Sequence, residues 1–443
     1  MIIHSSRTRG TRARRLTAVL YVYTFLDELI LLYPVYALLF ADTGLSVSEI
    51  SSLFIIWSLT GIVLEVPSGV WADAVSRRLL LILAPLPAAA GYALWVAAPS
   101  YWAFALGFVL WGVSGAMTSG AFEALAYEEL DRLGEAGRYA QIMGRAEVVG
   151  LCAVALSTAA AAPVFAVGGY PALGGASVLA CLLCAACGMA LPEHRSPDAR
   201  GARVPAAPLD HPDASGDPDG PDAVDAADGE GDPDGDGGPR GYREVLRAGL
   251  AEVRGSRSVR RALLLVPATA TIWGSLEEYV ALLVEGIGVP APAVPLWVLL
   301  VWAGVTAGGL LAGAGRRMTS RAFAAVLALA ALALGGGAAV ARPGGLVLVA
   351  AAFCVFQMAT LVADARLQDR ITGPSRATVT SLANLVTELA TVLVYGVYAA
   401  LSVFAGHGVI FALFAVPYLV VALVMTCDAK ARKKERMRRG VTP

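Results

Sequence analysis

Gly69-Val-Trp-Ala-Asp73-Ala-Val-Ser-Arg77-Arg78 closes one apolar run, Ser48–Ala72, and leads straight into another, Leu79–Ala98. Each run is near the ~20 residues that a helix rising ~1.5 Å per residue needs to cross ~30 Å of hydrocarbon. Working outward from this polar joint, the same length recurs at Leu16–Ala41, Tyr101–Ala126, Tyr139–Val164 and Pro171–Leu191. After a gap it returns at Ala262–Val284, Val294–Ala314, Ala322–Val340, Gly345–Leu367, Thr378–Phe404 and Val409–Thr426. The 443 residues are 57% hydrophobic and only 16% charged, against about 25% charged in soluble domains. Too few charges remain to coat a soluble protein of this size. Collagen, coiled-coil and small disulfide scaffolds are excluded by period, length and cysteine density. Lipid offers backbone groups no partners, so each run must bond within itself as a helix. The expectation is an all-α membrane protein with twelve transmembrane helices.

Basic residues stay on the cytoplasmic side. With the N-terminus inside, Arg7 to Arg15, Arg77–Arg78, Arg145, Arg316–Arg317, Arg366 and the tail all fall there, and of 34 Lys and Arg only Arg342 lies at an outer end. The first apolar run is too long for a signal peptide and has no A-x-A site, so it reads as an uncleaved helix. Only three of the basic residues are lysine, a bias of GC-rich bacterial genomes. The expected location is therefore the bacterial inner membrane, multi-pass, with both termini cytoplasmic.

The net charge of −1 hides a segregation. Glu193 to Pro239 alone carries −10, leaving +9 on the rest. Rich in Asp, Pro and Gly, that segment cannot bury a core and reads as a disordered acidic linker. Tyr242, Val245, Leu246, Leu250 and Val253 follow at helical spacing, interleaved with Arg, the pattern of an amphipathic helix on the membrane face. The expected organisation is a six-helix bundle over 1–191, a linker over 192–241, an amphipathic helix over 242–258, a second six-helix bundle over 259–428 and a basic tail over 429–443.

Six plus six helices with the Gly69–Arg78 joint resemble the major facilitator superfamily. Its loop signature is Gly-x-x-x-Asp-(Arg/Lys)-x-Gly-(Arg/Lys)-(Arg/Lys); Gly69, Asp73, Arg77 and Arg78 match, while Ala74 and Ser76 depart. A degenerate copy, Gly309-x-x-x-Gly313-x-x-Arg316-Arg317, fits an internal duplication. Glu65-Val-Pro67-Ser-Gly69, Glu123 to Glu128 with Arg138 to Arg145, and Arg376 to Leu382 resemble a bacterial, drug-efflux-like branch. The resemblance implies two bundles rocking about a midplane cavity lined by spans one, four, seven and ten. The family's proton-coupling arginine aligns with Phe108, and the antiporter signature Gly-Pro-x-x-Gly-Gly is absent after Pro163.

Ionisable groups inside a span cost about 2.5–3.5 kcal/mol on insertion scales and mark function by default. Asp27, about 16 Å past Leu16, falls near the midplane, and Glu28 projects about 100° away round the helix. Glu277 and Glu278 on span seven, Gln357 on span ten and Glu388 on span eleven complete the cavity candidates. None of these central positions is Arg or Lys. Burial without a cation favours the protonated carboxyl, so Asp27 is a candidate for exchanging protons with a cationic substrate. The alternative role is packing, through bonds to Tyr, Ser or Thr. Glu65, Asp73, Glu123 and Arg145 read as a gate network near the inner face, with Asp364 and Arg366 the counterpart in the second half. Tyr23, Tyr33, Tyr36, Trp57, Trp95, Trp111 and Trp273 are stacking candidates, or else interface anchors.

Other patterns carry less. Cys181-x-x-Cys184-x-x-Cys187 lies in an apolar helix without histidine and reads as packing, not metal. The linker's calcium-like Asp232 to Gly237 has Arg243 at the twelfth position. Gly304-x-x-x-Gly308 and Gly309-x-x-x-Gly313 allow close helix approach. No nucleotide motif is present, so no cofactor, nucleic acid or enzyme activity is expected, and the chain reads as a monomer. The expected function is proton-coupled efflux of an amphiphilic or cationic molecule. The alternatives are an importer or facilitator of a sugar or organic acid, and a transport-dead scaffold or sensor.

Overall fold

The computed structural model describes residues 2–193, 257–369 and 376–438; within them the side chains of 2–10, 65–67, 69–74, 257–258, 261–262, 376–378, 381 and 428–438 are not described. The acidic linker beyond Glu193, and the amphipathic segment up to residue 256, lie outside the described residues.

Among the described residues every regular element is a helix. In the first half these are α1 (Ile2–Asp27), α2 (Tyr36–Asp42), α3 (Val47–Ala74), α4 (Arg77–Leu83), α5 (Pro85–Ala97), α6 (Tyr101–Thr118), α7 (Ala121–Arg132) and α8 (Tyr139–Gly188). The second half has α9 (Arg257–Glu277), α10 (Val280–Gly286), α11 (Val294–Arg317), α12 (Ser320–Ala339), α13 (Pro343–Gln368), α14 (Arg376–Ser402) and α15 (His407–Arg438). Nine helical stretches among the described residues are long and apolar enough to cross a membrane. One of them, Ala136–Gly188, is 53 residues long, about twice what a bilayer needs. It holds two spans that meet at Gly169, whose φ of 59° and ψ of −156° interrupt the helix. Only glycine adopts such a conformation freely.

The two remaining spans escape that length criterion because each is broken. Span one is not a single helix over Leu16–Ala41: α1 stops at Asp27 and the chain resumes as a 3-10 turn at Tyr33–Val35. Pro34 accounts for the break. It has no N–H to bond Ile30, and its ring would strike that carbonyl in a continued helix. The freed Leu32 amide instead donates to Ser177 Oγ at 3.0 Å, on α8. Span seven breaks between α9 and α10 without a proline. There the Tyr279 ring stacks on Tyr398 at 3.6 Å and its hydroxyl donates to Ser51 Oγ at 2.7 Å. Both breaks follow an acidic doublet, Asp27–Glu28 and Glu277–Glu278. Twelve spans in two six-helix bundles result.

Among the described residues, buried apolar side chains form three clusters. The largest runs across both bundles at the end away from the chain termini, joining Phe40, Phe54 and Phe108 to Tyr279, Tyr395 and Tyr398. Toward the terminus-bearing end the clusters are separate, one around Leu20, Leu125 and Ile142 and one around Leu263, Ala363 and Val379. Among the described residues the buried core joins the bundles at the far end and is divided between them at the near one.

Small residues set the helix spacing within a bundle. A Cβ on Gly304 or Gly308 would collide with the carbonyls of Ala350 and Cys354 on α13, so α11 and α13 touch backbone to backbone. The expected counterpart Gly309–Gly313 does not do this. Gly313 has open space where its Cβ would be, and Gly309 meets only Leu361 at 4.0 Å. Cys184 and Cys187 pack on α1, their thiols directed at the Tyr23 and Val19 carbonyls at 3.6 Å.

Candidate functional site: an acidic, aromatic hollow between the bundles

The Glu28 amide still donates to the Thr24 carbonyl at 3.2 Å, so Glu28 stands about 100° round the helix from Asp27. Both nonetheless line one hollow of about 490 Å³, a correction to the sequence expectation. Trp57, Tyr92, Trp111 and Trp302 share its wall. Asp27 has no hydrogen-bond or ion-pair partner among the described residues. It stands at the C-terminal end of α1, where the helix dipole already places negative charge, and so suits a cation or a proton.

Glu278 lines a second hollow of about 700 Å³, together with Ser58, Asn384, Thr387 and Glu388. On the far side, Tyr33 Oη donates to Glu277 Oε1 at 3.4 Å, and Tyr36 Oη to Glu278 Oε2. The residues following one helix break thus bond the acidic doublet at the other, across the two bundles. Among the described residues no Lys, Arg or His lines either hollow or the small pocket between these tyrosines and glutamates. Gln357, half-buried on α13, lines none of the three. Span eleven, through Asn384, Thr387 and Glu388, lines the larger hollow instead.

Removing the Tyr36 hydroxyl strips a buried acceptor of its donor, which costs about 1–3 kcal/mol. Tyr36→Phe is expected to lower the thermal midpoint in detergent by that equivalent, and circular dichroism reads it.

The aromatic candidates divide. Trp57 and Trp111 stack at 5.1 Å, and Tyr33 meets Trp111 edge-on at 5.9 Å. Tyr23, Tyr36 and Trp95 are buried; Trp273 packs on Phe353 and donates to Thr360 Oγ1 at 3.1 Å. Phe108 is fully buried between Phe40, Trp95 and Trp57.

At the terminus-bearing end, Glu65, Gly69 and Asp73 lie on α3, and their side chains are outside the described residues. Arg77 pairs with Glu128, and its amide donates to Glu193 Oε1 at 2.9 Å. Ser76, the N-cap of α4, donates its hydroxyl to the same Glu193 carboxylate. Arg78 Nη2 donates to the Met189 carbonyl at 2.5 Å. Glu123 and Arg145 are exposed. In the second half the ion pair joins Arg316 to Asp369 at 3.2 Å, while Arg366 lies 4.8 Å over the Phe323 ring and Asp364 is exposed. Glu193→Ala should free the start of α4 at a cost of about 1 kcal/mol. Faster hydrogen exchange of the amides at 77–80 would show it, with Glu193→Gln intermediate.

Sequence reading passed over Glu193, Ser177 and Trp302. Glu193 sits at the edge of a segment read as linker. Ser177 and Trp302 lie in apolar runs, where only the folded arrangement gives them partners.

Two broken-helix bundles around a hollow, joined at one end and open at the other, define a polytopic membrane transporter. The Major Facilitator Superfamily model matches residues 17–393, and the chain belongs to that family. No curated protein matches it in sequence. Solved structures match in fold. A variant of the nucleoside transporter NupG superposes with TM-score 0.69 at 11% identity, over 93% of this chain and 99% of that one. A D-xylose-proton symporter gives 0.64 at 14%, over 94% and 97%. A bacterial homolog of the human lysosomal transporter Spinster, inward-facing and unoccupied, gives 0.58 at 14%, over 95% and 98%.

Proposed function

We propose that the protein is a secondary transporter exchanging protons for a small organic cation or cationic amphiphile. The supporting observation is the charge of the site. Asp27, Glu28, Glu278 and Glu388 line the two hollows, with no basic side chain among the described lining residues. A desolvated acidic wall attracts cations, and carboxylates inside a span are the usual proton carriers of transporters. The distribution of arginine favours cytoplasmic termini in a bacterial inner membrane. On that orientation the parted end opens to the cytoplasm, ready to load a substrate for export.

A second reading is supported by the larger hollow alone. Ser58, Asn384, Thr387 and Thr391 offer hydroxyls and an amide, which suit a polar solute, and the xylose and nucleoside transporters share the fold. Proteoliposomes loaded with a pH-sensitive dye and challenged with cationic dyes and sugars separate the two. Proton movement driven by cations supports exchange. Sugar counterflow without cation-driven proton movement supports the importer and sinks the first reading.

A further inference from the structure

The two hollows meet at one wall. Trp57, Trp111, Gly115 and Ser119 line both of them. The smaller hollow is aromatic and acidic, with Tyr33, Tyr92 and Trp302 beside Asp27 and Glu28. The larger adds an amide and hydroxyls, from Asn384, Ser58, Thr387 and Thr391, to the carboxylates of Glu278 and Glu388. Gly115 lies within α6, and a Cβ placed on it would meet no atom within 4 Å. The wall is therefore open at this residue, and a side chain there would project into free space.

Indole and phenol faces bind an onium group within about 6 Å of the ring. Hydroxyls and amides both donate and accept, the pairing a polyol needs. Pockets of about 300–1,000 Å³ hold drug-sized ligands, and at about 490 and 700 Å³ each hollow has room for a ring-sized group. We infer that the substrate is a two-part molecule: a flat ring carrying a positive nitrogen, seated beside Asp27, joined to a hydroxylated part seated by Asn384 and Thr387. The connecting bond passes Gly115. This rests on the cation reading above and names the class of cation.

The test uses the full chain in lipid nanodiscs, with indole fluorescence quenching as the readout. Three probes are compared: phenyltrimethylammonium, methyl glucoside, and the trimethylammoniophenyl glucoside that joins them. Linking two groups that both fit raises affinity through effective concentration. The conjugate should bind at least about tenfold more tightly than phenyltrimethylammonium. Gly115→Leu, which crowds the wall shared by the two hollows, should abolish that gain. Gly61→Leu, which fills the larger hollow from another side, should also bring the conjugate down to the affinity of the simple ammonium. A conjugate no tighter than phenyltrimethylammonium overturns the two-part substrate and leaves cation exchange standing. Failure of every ammonium probe to bind, with methyl glucoside binding instead, overturns the cation reading itself.

Discussion

Asp27→Asn should cut proton-driven transport of a cationic probe in proteoliposomes by on the order of a hundredfold, equivalent to about 2.7 kcal/mol. The amide matches the carboxyl in shape but can neither carry the proton nor attract the cation. The fold should not suffer. A carboxylate within a span costs about 2.5–3.5 kcal/mol to insert, and Asp27 recovers none of that from a partner among the described residues. The variant should therefore melt at the wild-type temperature or above it while transport collapses. An unchanged rate with an unchanged response to the proton gradient would remove Asp27 from the mechanism. A falling melting temperature would assign it to packing.

The second large effect is structural. Gly308→Val should destabilise the protein by about 3 kcal/mol, because the new side chain would drive into the Cys354 carbonyl. That obstacle is backbone and cannot rotate aside, so α11 and α13 must separate. Gly313→Val, one helical turn and a residue further along, should change stability by no more than about 0.5 kcal/mol. Thermal unfolding of the two variants side by side measures the contrast. Equal losses would mean that close helix approach is not what Gly308 provides.

The two glycines also mark what a sequence conveys. Gly304-x-x-x-Gly308 and Gly309-x-x-x-Gly313 look alike as strings, yet only the first pair meets a neighbouring backbone. A spacing gives the face of a helix but not which helix stands opposite. The twelve spans were legible because hydrocarbon thickness sets a length, and a run of apolar residues displays it. The break in span one had a visible cause in Pro34, but nothing local shows that one hollow is broad enough to take in both Asp27 and Glu28. The break in span seven depends on Tyr279 finding Ser51 and Tyr398, contacts separated by 228 and 119 positions in the chain, and no local signal encodes them. The carboxylates that line the hollows stood out by their cost in lipid. Trp302 and Ser177 cost nothing there and so left no trace.

Gly169 joins the fifth and sixth spans with almost no intervening loop, so this corner has no slack to absorb a change in length. One residue added beside it would turn everything after it by about 100°. Ser177, eight positions on, would swing away from the Leu32 amide that it holds, and Cys181 would leave the wall of the smaller hollow. A single-residue insertion at the end away from the termini would thus be transmitted along a rigid helix to the place where span one is interrupted. The geometry beside Asp27 is kept in phase by the tightness of a distant corner.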